Sequence, residues 1–129
     1  MSNVKFAERV TNYAEAAKFL GDKWERKIGY KTIVQRSVTN PHTISLIHHD
    51  TAILTWSDSE PHYAFLFTDG IVSRTTANRL NYFTPDTYRI GSRITDTEMY
   101  YRISHSEGLW TDVLWHGHNV RELWLGERV

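Results

Sequence analysis

The sequence contains no cysteine, and its charges leave no excess of either sign. Without cysteine the chain forms no disulfide framework, thiolate metal site or cysteine nucleophile, which fits a reducing cytoplasm. Its 15 basic residues balance 15 acidic ones. A balanced chain lacks the long-range field by which basic proteins collect on nucleic acid or anionic membranes, so any nucleic-acid contact has to be local.

Long apolar runs and familiar catalytic motifs are missing as well. The first residues, MSNVKFAERV, have no apolar stretch after a basic region, and no run of about eighteen apolar residues occurs anywhere. The sequence therefore predicts neither secretion nor a membrane span, and we expect a cytoplasmic protein. The absence of a nucleophile elbow, a P-loop, a dinucleotide fingerprint and a zincin motif favours a protein that is not an enzyme and needs no cofactor.

Size and composition indicate one folded unit. The chain has 129 residues, of which 40% are hydrophobic and 13% aromatic, with five tryptophans. That is enough to bury one core and too little for two ordinary domains. No internal repeat, low-complexity tract or linker divides the chain. We therefore expect residues 1–129 to form a single domain.

Periodicity predicts a helix followed by strands. Apolar residues recur at spacings of four and three from Phe6 to Trp24, and Gly21 is placed to end the helix, so its firmest stretch is 11–20. From Lys27 to Gln35 the period is two, as in a strand. Further strands are predicted at Thr43–His48, Thr51–Ser57, His62–Thr68, Thr87–Ile94, Glu98–His105, Leu109–Trp115 and Val120–Leu125.

A second, short helix interrupts the strands at residues 75–84. It would begin at a threonine cap, bury Leu80 and Phe83, and stop before Pro85. Before it, Asp69-Gly70 is typical of a hairpin turn. The sequence thus predicts an α+β fold in which an N-terminal helix packs on a mostly antiparallel sheet of about six to eight strands, with one short internal helix.

The most specific local chemistry lies where that short helix begins. In Ser73-Arg74-Thr75-Thr76, free backbone N–H groups, hydroxyls and a cation would converge on an anion. The predicted phosphate-binding residues are Arg74, Thr75, Thr76, Arg79, Asn81 and Arg36. In the structural alternative, a threonine only caps the helix and Arg74 pairs with a surface carboxylate.

Aromatic residues interleaved with arginines form a second candidate. They occur in Tyr88-Arg89 and Tyr100-Tyr101-Arg102, with Trp110 nearby. Alternation along a strand turns some of these rings away from the core, and such platforms beside basic residues hold single-stranded nucleic acid. The alternative is that these rings form the inner face of the sheet.

A third candidate is a metal site. His116 and His118 lie two residues apart, and therefore on one face of an extended segment, while His48-His49-Asp50 offers further ligands. Imidazole and carboxylate groups suit a divalent transition metal. In the alternative reading, Gly117 makes this segment a turn.

Several motifs resemble a family of small uncharacterised proteins encoded by phages and by actinobacterial genomes. They span roughly residues 14–90 and are Phe19-Leu20-Gly21, Arg26-Lys27, Ile44-Ser45-Leu46 with His48 and Thr51, and Arg74-Thr75-Thr76 with Arg79-Leu80-Asn81, Phe83 and Pro85. Family members usually carry a Gly-Gly-Trp-type turn before the Thr-Thr pair, where this chain has residues 69–74 instead. The family has no settled activity, so the resemblance implies a phage or prophage origin and an accessory role, without catalytic residues.

Three functions follow as hypotheses. The first is a small viral-type accessory binding protein that contacts a nucleotide or nucleic-acid phosphate, in the host cytoplasm if the gene is viral. The second is an interaction or structural protein, with a homo-oligomer or another phage or host protein as partner and no small ligand. The third is a histidine-metal hydrolase.

Overall fold

The computed structural model describes residues 5–68, 70, 72–105, 113–116 and 120–125. It confirms the α+β class, with an N-terminal helix and a short internal one. The helices are α1 (Tyr13–Leu20) and α2 (Arg74–Tyr82). The strands in the described residues are β1 (Glu25–Gly29), β2 (Thr32–Arg36), β3 (Thr43–His48), β4 (Thr51–Ser57), β5 (Tyr63–Leu66), β6 (Tyr88–Ile94), β7 (Met99–His105), β8 (Val113–Trp115) and β9 (Arg121–Trp124).

The strands form two antiparallel sheets rather than one. The first has six strands in the order β1-β2-β3-β4-β5-β9, and the second has three in the order β6-β7-β8. Within each sheet, consecutive strands are neighbours except at β9, which returns to pair with β5 and sets Leu123 opposite Ala64. Leu123 is buried there. This return depends on burial against a distant strand, which local alternation does not reveal.

The single strand predicted from Lys27 to Gln35 is wrong, because the structure has two strands, β1 and β2, in this region. β1 and β2 are joined at Tyr30 and Lys31, and Lys31 adopts a φ of 52°. A left-handed residue reverses the chain there, so that Arg26 lies opposite Val34. The period of two continues through the turn, which conceals the reversal in the sequence.

α2 begins at a serine cap instead of the predicted threonine, and α1 begins at an asparagine cap. α1 begins after Asn12, whose Oδ1 accepts the Glu15 N–H at 2.8 Å. α2 begins after Ser73, whose Oγ accepts the Thr76 N–H at 3.1 Å. Gly21 ends α1 with a φ of 62°, as predicted. Asp69 of the predicted hairpin turn lies outside the described residues, and Val72 leads into α2 without forming a strand.

The two sheets share one hydrophobic core with α2 between them. Its fully buried members include Trp56 of β4, Leu80 of α2 and Tyr101 of β7. The helix is tied to the second sheet by the Asn81 Oδ1, which accepts the Ile90 N–H at 2.9 Å. The inner face of the second sheet is therefore covered, and its outer face remains exposed.

Gly29 lies against the ring of Phe6. A Cβ placed on Gly29 would lie 2.4 Å from Cδ1 and 2.8 Å from Cε1 of that ring. The Phe6 ring in turn packs on the end of α2, with centroid distances of 4.6 Å to Tyr82 and 4.9 Å to Phe83. Any side chain at Gly29 must therefore displace Phe6 from these aromatic contacts.

We expect Gly29→Ala to lower the free energy of unfolding by about 1–3 kcal/mol, because overpacking forces the Phe6 ring out of place. Gly91→Ala is the matched control, since a Cβ at Gly91 meets nothing within 4 Å. Urea unfolding followed by tryptophan fluorescence would measure both variants. Equal stability of the two would contradict the contact between Gly29 and Phe6.

Candidate functional site

Arg79, predicted as a phosphate ligand, is directed into the protein instead. It is 2% exposed. Its Nε donates to Thr32 Oγ1 at 2.8 Å, and its Nη1 and Nη2 donate to the carbonyl oxygens of Thr75 at 3.2 Å and Tyr30 at 3.0 Å. Burial lowers the pKa of Arg79, yet a guanidinium remains charged in proteins. Arg79 thus fastens α2 to the turn between β1 and β2.

Asn81 and Arg36 also have structural partners away from the start of α2. The Asn81 Oδ1 is occupied by the Ile90 N–H. Arg36 lies at the opposite end of β2 from Thr32, where its Nη1 donates to the Pro41 carbonyl at 3.1 Å. That end of β2 is roughly 13 Å from Thr32 at the usual rise of a strand. The structure therefore does not bring Arg36 together with α2.

Arg74, Thr75 and Thr76 do lie together at the start of α2. Ser73 Oγ caps the helix and contacts Thr76 Oγ1 at 2.9 Å, so the cap is Ser73 and neither of the threonines. Arg74 and Thr75 are exposed. The two threonines line a pocket of about 180 Å³ together with Ser73, His48, His49, Thr51, Ile53 and Thr68.

His48 is a titratable group in this pocket whose pKa is strongly shifted by its surroundings. It is 4% exposed. Burial lowers its pKa from the ordinary 6.5 to about 4, with further lowering by the charges of Arg79 and His49. The imidazole is therefore neutral at neutral pH. The sequence reasoning assigned His48 only to a possible metal site, because its approach to α2 depends on the fold.

The outer face of the second sheet carries three arginines. Arg93 lies opposite Tyr100, and Gly91 lies opposite Arg102. Opposed residues share a face, so Arg102 is a diagonal neighbour of both Arg89 and Arg93, at about 7–8 Å. Gly91 leaves an open trough of about 350 Å³ that is lined by Arg89 and Arg102. All three arginine side chains are exposed.

The same alternation divides the aromatic residues of these strands. Tyr88 and Tyr101 point inward and are buried, and the Tyr88 hydroxyl donates to the Trp124 carbonyl. Burial raises the pKa of Tyr88. Tyr100 stays on the outer face, 6.1 Å between ring centroids from His116. The core alternative is thus correct for two of the predicted rings, while Trp110 lies outside the described residues.

Arg89 and Arg93 form no salt bridge in the part of the chain that the structure describes. Arg9 forms an ion pair with Asp86 there at 2.9 Å, and His42 Nδ1 lies 2.8 Å from the Asp58 carboxylate. The outer face therefore presents positive charge that no neighbouring carboxylate neutralises at these two residues. Arg93 is not among the predicted residues, although it lies two residues from Gly91 and four from Arg89, which indicates a shared face of the strand.

The predicted metal site gains no support. His116 is exposed, and its Nδ1 lies 3.1 Å from the Met99 carbonyl. His118 lies outside the described residues. Across the described ranges, no group of three or more histidine, aspartate or glutamate side chains is arranged to hold a metal ion.

Comparisons of the chain with protein-family models, curated proteins and solved structures find no match. The resemblance to phage and actinobacterial proteins thus stays a prediction, as do the homo-oligomer and the protein partner. Within the described residues no helix has the length and apolar character to cross a membrane.

Proposed function

We propose that this protein is a small cytoplasmic accessory protein that binds single-stranded nucleic acid on the outer face of the β6-β7-β8 sheet. The observation that supports it is the cluster of Arg89, Arg93 and Arg102 on one exposed sheet face. The proposal keeps the phosphate contact expected from the sequence but places it on the second sheet instead of at the start of α2.

Each group on this face has a part in binding. The guanidinium groups of Arg89 and Arg93 contact phosphates, because a planar fork of donors matches two phosphate oxygens. Tyr100 lies beside Arg93 and offers its ring to a base. Gly91 keeps the middle of the face low, so that a sugar-phosphate backbone lies between the arginines.

A single strand suits this face better than a duplex. Sheet surfaces with aromatic and basic residues stack unpaired bases, whereas duplex DNA is read by elements that enter a groove. The chain as a whole carries no formal net charge, so affinity depends on the local arginines. With two phosphate contacts, from Arg89 and Arg93, the slope of log affinity against log salt is about −1.4 for a single strand.

The test is a fluorescence-anisotropy titration of an oligothymidylate of about 20 nucleotides at several salt concentrations. We expect the double variant Arg89→Ala/Arg93→Ala to bind roughly tenfold or more weakly and to bring the salt slope close to zero, because both phosphate contacts are lost. Tyr100→Leu should weaken binding while leaving the salt slope unchanged, since it removes stacking alone.

The matched control is Lys18→Ala/Lys23→Ala, which removes the same charge from exposed positions away from this sheet. It should bind as the wild type does. If both double variants lose affinity equally, the effect belongs to net charge and the proposed face is not the site.

A further inference from the structure

We infer that the pocket between the β3–β4 hairpin and the start of α2 binds a small phosphate that carries a proton, either inorganic phosphate or the head of a phosphomonoester. His48 Nε2 accepts the hydrogen bond of the P–OH group, and the helix start holds the remaining oxygens. This site is separate from the sheet face proposed above and does not depend on it.

The orientation of His48 leaves one of its ring nitrogens available to accept a hydrogen bond from a ligand. Its Nδ1 lies 3.3 Å from the Lys31 carbonyl oxygen. A carbonyl only accepts, so Nδ1 bears the hydrogen and Nε2 of the neutral ring is an acceptor. Nε2 has no hydrogen-bond partner anywhere in the described part of the chain. A side chain that is 96% buried, being 4% exposed, and lines this pocket therefore offers it an unused acceptor.

The start of α2 provides hydrogen-bond donors for an anion. The helix has nine residues, and the backbone N–H groups of Arg74 and Thr75 have no partner among the described residues. Such groups and the helix dipole favour an anion. The hydroxyl groups of Ser73, Thr75 and Thr76 lie at the same opening.

The two ends of the pocket therefore favour different groups on one ligand. The helix start favours negatively charged oxygen, whereas an acceptor nitrogen repels any oxygen that lacks a hydrogen. A phosphate or phosphomonoester near neutral pH has both kinds of oxygen. The volume of about 180 Å³ limits the occupant to a small group, since drug-sized ligands occupy about 300–1,000 Å³.

Sulfate is the matched probe, because it has the shape of phosphate and carries no proton at neutral pH. We expect inorganic phosphate to bind the full chain saturably in a calorimetric or NMR titration and to shift the ring signals of His48. Sulfate should bind about tenfold or more weakly, because Nε2 would then face an oxygen without a hydrogen. Equal affinity for the two anions, or no saturable binding of phosphate, would overturn the inference.

Variants separate this pocket from the rest of the protein. Thr75→Val removes an exposed hydroxyl at the pocket and should weaken phosphate binding several-fold while the fold is kept. Thr97→Val, in the exposed turn between β6 and β7, is the control and should bind as the wild type does. If Thr75→Val binds phosphate like the control, the pocket is not the site.

Two further measurements identify the source of the phosphate and test whether this pocket is independent of the sheet face. Tighter binding of phosphoserine than of inorganic phosphate would support a phosphomonoester ligand, and the reverse would support free phosphate. Arg89→Ala/Arg93→Ala should leave phosphate binding unchanged. A loss of phosphate binding in that variant would overturn the separate pocket, while loss of oligonucleotide binding alone would support the two-site arrangement.

Discussion

Replacing Arg79 with alanine should lower the free energy of unfolding by about 3–4 kcal/mol. The guanidinium donates to one hydroxyl and two backbone carbonyls, and it is 2% exposed. Without it, Thr32 Oγ1 loses its donor in surroundings that water does not reach. The alanine also leaves a cavity beneath the Phe6 ring, whose centroid lies 5.6 Å from the Arg79 Cζ.

Arg74 provides the matched control for this substitution. It lies on the same helix, carries the same charge and is exposed. Arg74→Ala should change the free energy of unfolding by no more than about 0.5 kcal/mol. Arg79→Lys should be nearly as damaging as Arg79→Ala, because an ammonium group does not reach three acceptors that a planar fork spans.

Urea unfolding at neutral pH, followed by tryptophan fluorescence, measures all three variants. The structural role of Arg79 would be contradicted if Arg79→Ala and Arg74→Ala unfolded at the same urea concentration. A change in the slope of the transition would instead show that the denatured or native state had altered in compactness.

The second large effect is a loss of stability as the pH falls from about 6.5 to about 4. His48 has a pKa of about 4 in the folded protein against an ordinary 6.5. The unfolded chain therefore binds more protons in this interval, and stability rises with pH there. The contribution is fully present above pH 6.5 and amounts to about 3 kcal/mol lost by pH 4.

Several groups oppose a charged imidazole at this position. Burial is the largest factor, followed by the positive charges of Arg79 and His49. The Lys31 carbonyl acts in the opposite direction, because it accepts from the ring. The lowered pKa is the outcome of these effects together.

His48→Gln removes the titrating ring and should flatten the dependence of stability on pH between 6.5 and 4. The measurement is the free energy of unfolding in urea at pH 7, 6, 5 and about 4, compared with the wild type. His62→Gln is the matched control, because that histidine is exposed. A wild-type slope in the His48→Gln protein would rule out His48 as its source.

Local signals in the sequence were sufficient for the β3–β4 hairpin. Thr43–His48 and Thr51–Ser57 were predicted with the bounds that the structure has. Both segments are rich in β-branched and aliphatic residues, and His49 and Asp50 between them take φ values of 50° and 68°, as the two central residues of a tight hairpin turn do. Strand composition and the short polar break are both local signals, so nothing distant is needed to define the element.

Arg79 shows why part of the candidate site was not predictable. Its partners Thr32 and Tyr30 lie 47 and 49 residues away along the chain. An arginine on a polar helix ordinarily faces water, and only the packing of α2 against the β1–β2 turn buries it. Thr75 and Thr76 were placed correctly because helix-start chemistry is local, whereas the approach of His48 to them is set by the sheet.

The pairing of β9 with β5 also fixes an order of events during synthesis. On the ribosome, β1 to β5 emerge in the order in which they pair, so each strand meets its neighbour at once. The Tyr63–Leu66 strand then waits with one side unpaired while α2 and the second sheet are made. Until Arg121–Trp124 has been synthesised, the unpaired edge of β5 in the nascent chain is open to pairing with strands of other chains.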